Sequence, residues 1–413
     1  MNHTPQVGLT LAIFLFANPA SNAASSDGFI AGSKVRLEAR NFYYNGDFRE
    51  GAATSKRDEW AQGFLVNYES GYTEGLMGVG LDALVFAGYQ LDSSPDRSGS
   101  GLLPKRTQGE AAGEYSKAGY GLKMNIFRTS LRYGMSLPKV PVLQYNNSRL
   151  TPQTFQGWQI NSADVDRLTV NLAQFDKTIT PDSTDRRDVS LAAKDGRYPA
   201  TGSGNFYRFG GGSYKISPHL NASYFYGELD DVYRQHFIGI THAAQLGAGT
   251  MTTDLRAFFS SDIGAAKADV VDNKAYAAAL GYSLNSGHSV MTTYQVMKGD
   301  TGFAYINNPY LPNYVQYHDF GSAGERSWQA RYGYDFAAIG IPGLSFFTAY
   351  IHGDGLKKAG ASKEWERDID ISYAFQGSLK GFSVRLRNAT FRSEDARDID
   401  ETRLIASYLF TSF

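Results

Sequence analysis

Apolar and polar residues alternate with period two through segment after segment of this chain, and that pattern constrains the fold more than any motif. Met77, Val79, Leu81, Ala83 and Val85 share one parity, opposite Gly78, Gly80 and Asp82. Ala118, Tyr120, Leu122, Met124 and Ile126 oppose Lys117, Gly119, Gly121, Lys123 and Asn125. Leu168, Val170 and Leu172 oppose Thr169 and Asn171, and Ile369, Ile371, Tyr373 and Phe375 oppose Asp368, Asp370 and Ser372. Such alternation makes strands with one greasy face and one wet face.

A soluble sandwich also alternates, so the choice of solvent rests on three further features. Several segments run to about ten residues or more, the length of a tilted membrane crossing. Tight turns such as Leu284-Asn285-Ser286-Gly287 alternate with long polar stretches such as Asp92 to Gly109, as on the two sides of a transmembrane barrel. Rings gather near segment ends (Tyr43, Tyr44, Trp60, Tyr72, Trp328, Tyr350), the placement of headgroup-level aromatics. The texture is uniform from Gly28 to Phe413; the whole chain has 44 Gly, 13 Pro and 14% aromatics, and its mean hydropathy is −0.35. No composition shift marks a second domain.

The first 23 residues carry no Lys, Arg, Asp or Glu. An apolar run from Val7 to Ala17 precedes Ser21-Asn22-Ala23, which suits signal-peptidase cleavage after Ala23. The expected division is a signal peptide over 1–23 and one transmembrane β-barrel over 24–413. Export without cysteine means no reliance on disulfides. A net charge of −1 argues against a nucleic-acid partner, so electrostatic selectivity must come from sorting charges in space.

Within hydrocarbon an open sheet edge leaves backbone groups unpaired at several kcal/mol each, so the strands must close. About 390 residues at roughly 20 to 25 per strand and connection predict 16 to 18 antiparallel strands, with 18 preferred. A barrel that wide encloses a water-filled channel. Leu404, Ala406, Tyr408 and Phe410 mark a last strand sealing against the first, with a terminal Phe413 of opposite parity.

Arginines fall where the alternation points inward. Lys34, Arg36, Glu38 and Arg40 oppose Val35, Leu37 and Ala39; Arg385 and Arg387 oppose Val384 and Leu386; Arg331 opposes Trp328, Ala330 and Tyr332; Arg403 opposes Leu404. On the lipid face at mid-bilayer each would cost roughly 2 to 4 kcal/mol. Arg385, Arg387, Arg403, Arg36 and Arg40 come to adjacent strands on closure and would build a basic column. Guanidinium forks hold carboxylates bidentately and stay charged, and a row of them hands an anion along. The bland alternative is neutralisation by wall acids such as Glu38 and Asp370. Two stretches would narrow the lumen if folded inward: Leu137 to Thr154, with Ser148 and Arg149, and Thr301 to Gln316, with Tyr305, Asn307, Tyr310 and Tyr314. Arginine for a carboxylate and aromatic faces for a ring would suit a ring-bearing acid.

Several ordered stretches resemble the OprD-type outer-membrane carboxylate channels of pseudomonads. They are Arg40-Asn41-Phe42-Tyr43-Tyr44, Trp60-Ala61-Gln62-Gly63-Phe64, Ser148 to Thr154, Gly227 to Gln235, Val315 to Phe320 and Gly324 to Tyr332. The resemblance implies an 18-stranded monomeric barrel constricted by inward loops. It also implies a basic ladder at Arg40, Arg331, Arg385, Arg387 and Arg403, with Arg149 in the constriction loop. The chain's length and its Tyr-rich Thr301 to Gln316 stretch look more like the branch taking cyclic or aromatic carboxylates, such as benzoate and vanillate, than the branch taking basic amino acids.

The competing classes carry less. No Gly-x-Ser-x-Gly elbow occurs for a hydrolase, and His236, His242 and His318 read as loop or rim residues. No zinc or EF-hand spacing appears; Asp182 to Asp188 and Asp395 to Asp400 read as solvated turns. The expectation is therefore no catalysis, no cofactor and no metal. The expected partners are small carboxylates and outer-membrane lipid, in a monomer or weak homotrimer. A general diffusion porin or an adhesin barrel is the better rival.

Overall fold

The computed structural model describes residues 28–412 except 52–53, 200–201 and 359–360. The leader expected over 1–23 and the terminal Phe413 lie outside the described residues. Eighteen strands form one sheet. The first nine are β1 (Lys34–Phe48), β2 (Lys56–Glu69), β3 (Met77–Asp92), β4 (Glu114–Ile126), β5 (Thr129–Ser136), β6 (Thr154–Ser162), β7 (Leu168–Ile179), β8 (Tyr207–Lys215) and β9 (Leu220–Leu229). The rest are β10 (Tyr233–Leu246), β11 (Gly249–Asp262), β12 (Asp272–Leu284), β13 (His288–Lys298), β14 (Arg326–Asp335), β15 (Leu344–Lys358), β16 (Ala361–Ala374), β17 (Phe382–Ser393) and β18 (Ile399–Ser412).

Each strand runs antiparallel to its chain neighbours, and β1 pairs with β18 from Val35↔Ser412 to Phe48↔Ile399. The sheet is closed, so no edge is left for lipid to solvate. Parity sets the two faces as the alternation predicts. Val79, Leu122, Ile371, Leu404, Tyr408 and Phe410 are exposed on the outside, while Lys117, Lys123, Asp368 and Arg403 are buried inside. Two rings of aromatics bound the outer apolar band: Trp328, Tyr350 and Trp365 pack in a row at one level, and Tyr373, Phe375 and Phe382 at the other. Trp60 belongs to the first ring and donates from its indole to Asn41. Tyr44 and Tyr72 do not belong to either ring. Tyr44 has the inward parity of β1 and donates to Glu401 at 2.7 Å, and Tyr72 lies under the Lys123 ammonium, 4.9 Å from it.

The connections sort by side. Residues 127–128, 216–219, 247–248 and 285–287 turn tightly at one mouth, while 93–113, 137–153, 180–206 and 299–325 span the other. The long side is the extracellular one. Gly287 closes its turn with φ 88°, and a Cβ there would lie 2.5 Å from the Asp335 carbonyl oxygen.

The lumen is not simply wet. Inward-facing Phe155, Phe175, Tyr207, Phe209, Phe225, Phe237 and Phe258 form one apolar cluster with Val140, Val142 and Leu143 of one loop and Phe303, Ala304 and Leu311 of another. Long loops folded into a channel bring their own backbone polar groups, and they stay put only if they bury apolar surface against the wall. This inner core departs from the expectation that apolar residues serve the lipid face alone.

A constricted, arginine-lined pore as the candidate site

Both candidate loops fold inward. In 137–153, Leu150 is fully buried in a notch made by two inward glycines: a Cβ on Gly63 would meet its Cδ1 at 3.1 Å, and one on Gly88 its Cδ2 at 2.9 Å. Tyr207 donates to the Val142 carbonyl at 2.6 Å and fixes the other end of the loop. With Leu150 seated, Arg149 is half-buried with its guanidinium 5.6 Å from the Tyr44 ring, and it donates to the Ser148 carbonyl and hydroxyl.

Loop 299–325 is held by basic groups from three sides. Arg387 donates to the Val315 carbonyl at 3.0 Å and Arg403 to the Gln316 carbonyl at 3.3 Å. From the fourth extracellular loop, 180–206, Arg197 grips both carboxylate oxygens of Asp319, and Lys194 donates to the Tyr317 carbonyl. Burial alone would raise the Asp319 carboxyl, but Arg197, then Lys194 and His318, hold it well below the usual carboxylate range. On the wall, Glu366 accepts from the backbone N–H groups of Tyr317 and His318 at 2.9 and 2.7 Å. His318 Nε2 lies 2.8 Å from Glu364 and its ring stacks on Phe391, so this histidine is buried in the lumen rather than at the rim. His236 and His242 lie within β10 on its outward parity, not in loops.

The six candidate ladder residues do point inward, and they divide by partner. Arg40 is bound to Glu38, Arg403 to Glu401, and Arg385 and Arg387 share Asp370. Arg385 holds Asp370 bidentately yet keeps almost half of its side chain exposed to the lumen (46%). Arg36 is exposed near the periplasmic mouth, and Arg331 lies with its guanidinium 3.7 Å from the Phe347 ring. Among the described residues no carboxylate lies within 4 Å of Arg36, Arg149 or Arg331. The candidate loop residues divide as well. Tyr305 stacks on Phe303 inside the loop's own core and does not line the passage, while Asn307 is half-buried. Tyr310 is buried beneath Arg256, 3.8 Å away, and Tyr314 is partly buried 5.9 Å from the Lys194 ammonium.

The architecture fits a recognised family over nearly its whole length: residues 27–412 match the model described as outer membrane porin, OprD family. The chain belongs to the OprD family. OprD porins are passive channels of the bacterial outer membrane, so this protein conducts solutes and catalyses nothing. It is 34% identical to Porin D of Pseudomonas aeruginosa over 94% of this chain and 93% of that protein. Among solved structures it resembles OccK9 (OpdG) of Pseudomonas aeruginosa with TM-score 0.90 and 39% identity, covering 93% of this chain and 100% of that one. It resembles OpdK of the same organism, solved with vanillate, with TM-score 0.88 and 34% identity over 93% and 100% of the two chains.

Sequence reasoning missed the fourth extracellular loop, 180–206, which supplies Lys194 and Arg197 to the constriction. Val189, Leu191 and Tyr198 were its signal: apolar residues spaced through a polar loop, all buried in the inner core. It also missed the full acidic row of β16. Glu364, Glu366, Asp368 and Asp370 share the inward parity already visible at the last two.

Proposed function

We propose that this OprD-family channel is selective for small carboxylates, with cyclic or aromatic acids as its preferred class. The observation that carries the reading is the trio Arg36, Arg149 and Arg331, inward guanidiniums that no carboxylate of the described residues occupies. Arg385, paired but open on one side, adds a fourth station. A carboxylate entering past the extracellular loops would meet Arg149 beside the Tyr44 ring, where a charge and an aromatic face adjoin. Forked donors bind it well there, and further guanidiniums nearer the periplasm keep any one site from retaining it. Four of the wall acids are not free cation sites, because Asp370, Glu38 and Glu401 are held by arginines and Glu366 by backbone N–H groups; the Asp368 carboxylate accepts no hydrogen bond from the described residues and is the wall acid that most favours a cation. The vanillate bound to the similar OpdK is a carboxylate on an aromatic ring, which agrees in class.

The test is flux through proteoliposomes of benzoate, vanillate, glucuronate and arginine. Benzoate and vanillate should lead, and the double variant R149Q/R385Q should slow them by about tenfold, the scale of one lost charge-assisted contact. Preferred flux of arginine would assign the channel to basic amino acids instead. Equal rates for acids of equal size, unchanged in the variant, would make it a general porin.

A further inference from the structure

We propose that the outer wall of the barrel carries a specific site for a phosphate-bearing lipid of the extracellular leaflet, with an acyl chain in a groove across β12 to β15 and the phosphate on Arg367. The groove encloses about 470 Å³. Its floor is made by the small outward residues Thr292, Ala330 and Thr348, and its sides by the rings of Tyr282, Tyr332 and Tyr350. Leu280, Thr292, Ala330, Tyr350 and Arg367 occupy one register row across five strands, so the apolar trough runs to the guanidinium.

Arg367 stands at the level where a phosphate would be. It sits on the outward parity of β16, opposite Tyr350 and two residues from Trp365, both members of the extracellular aromatic ring. Lipid-facing arginine is expensive at mid-bilayer and nearly free at the interface. Several other outward arginines are neutralised within the protein, Arg208 by Glu228, Arg326 by Asp354 and Arg392 by Asp400, while Arg234 of β10 donates to the Ser261 hydroxyl and lines neither outer groove. Arg367 has no carboxylate within 4 Å among the described residues. Instead Nη2 donates to Asn388 Oδ1 and Thr390 Oγ1 at 3.1 and 3.0 Å, two neutral groups that orient the fork while leaving its charge unspent. Asn388 is braced in turn by a hydrogen bond to Thr402 at 3.1 Å. An ionisable side chain in a membrane wall is costly and marks a functional site, and at this level the polar partner available to Arg367 is a headgroup.

The wall supplies its own comparison. A second outer groove of about 370 Å³ is lined by Ile238, Ile240, Leu255 and Tyr276, but its only basic lining residue, Arg256, points into the lumen and is bound to Asp254. These two grooves share an apolar shape, and of the two only the first has an outward guanidinium in its lining.

Native mass spectrometry of the full-length protein in neutral detergent tests the site, with diphosphoryl lipid A as probe. The wild type should retain bound lipid A and not dioleoylglycerol, which lacks phosphate. R367Q should weaken retention by about tenfold, the scale of one charge-assisted contact. A330F, which fills the floor without touching the charge, should weaken it similarly, and both variants should keep the heat-modifiable mobility of an assembled barrel. Inorganic phosphate at millimolar concentration should not displace the lipid. Equal retention by wild type, R367Q and A330F would overturn the proposal, as would displacement by phosphate alone, since then the groove contributes nothing.

Discussion

Arg40 donates from Nη1 to the backbone carbonyl of Arg149 at 2.8 Å, so one basic residue of the wall fixes the loop that presents another. The same guanidinium reaches Asn147 Oδ1 at 3.1 Å while its other nitrogens hold Glu38. Arg387 and Arg403 fasten the opposite loop in the same manner through Val315 and Gln316. On the proposed function a single basic column performs two tasks: its saturated members fasten the loops that set the aperture, and its unsaturated members are the stations for the solute.

Substituting a fastener should therefore change aperture before preference. Arg40→Gln leaves Glu38 without its cation and removes three contacts to the 137–153 loop. Hydrogen bonds to charged groups contribute about 1.5–3 kcal/mol each, and with Glu38 partly wet the local loss should be about 2–4 kcal/mol. The barrel, held by its closed ladder, should assemble normally. In planar bilayers the open-channel current should rise and become noisier while anion-over-cation preference holds. A quiet channel of unaltered current would show that Leu150 in its glycine notch suffices to hold the loop.

Arg149→Gln should do the reverse. Its guanidinium donates only to its own neighbour Ser148 and meets the wall only at the face of the Tyr44 ring, so removing it breaks no hydrogen bond between loop and wall. Conductance in simple salt should change little, and competition of benzoate with the chloride current should weaken by about tenfold. If instead the current and its noise increase as for Arg40→Gln, Arg149 is a fastener too.

The closed barrel was legible in the sequence because alternation is local: each residue's parity is fixed by its neighbours, whatever the rest of the chain does. Inward placement of Arg36, Arg40, Arg331, Arg385, Arg387 and Arg403 followed from that parity alone. What the arginines touch did not. Arg40 bonds residues 107 to 110 positions away, and nothing near it in the chain announces Asn147 or Leu150. The inner core was hidden for a similar reason. Phe209, Phe225 and Phe258 carry inward parity and so break the greasy-out rule, which makes sense only once loops return to cover them. Tyr44 was misplaced at the membrane interface because position near a strand end was weighed above parity.

That inner core should decide how steadily the constriction is held. Phe258 packs edge-on against Phe303 of the 299–325 loop at 5.0 Å and against Phe237 at 4.8 Å. Phe258→Ala removes the ring joining wall to loop, a change that costs about 3–5 kcal/mol in a close-packed interior. Since the strands remain paired, the loss should fall on loop docking. Single-channel records should then show frequent transitions to a larger sublevel, and residues 299–325 should become sensitive to protease added outside the vesicles. Steady current with a protease-resistant loop would place the holding energy in the arginine contacts instead.

The ion pair of Arg197 with Asp319 joins the 180–206 loop to the 299–325 loop and should set the acid limit of the closed aperture. Both side chains are almost wholly buried, so breaking the pair strands a charge at a local cost of about 3–5 kcal/mol. Although burial works to raise the Asp319 carboxyl, Arg197 and its neighbours hold it well below the ordinary value. A carboxyl lowered by folding stabilises the docked loops fully above its unfolded value of about 3.9, and that contribution fades only as pH falls through the lower folded value. Channel noise should accordingly stay constant from about pH 7 down to about pH 4 and increase only in stronger acid. Asp319→Asn removes the titrating group and the charge together, so the variant should be noisy at every pH in that range. Onset of noise in the wild type near pH 6 would mean that a group other than Asp319 governs loop docking.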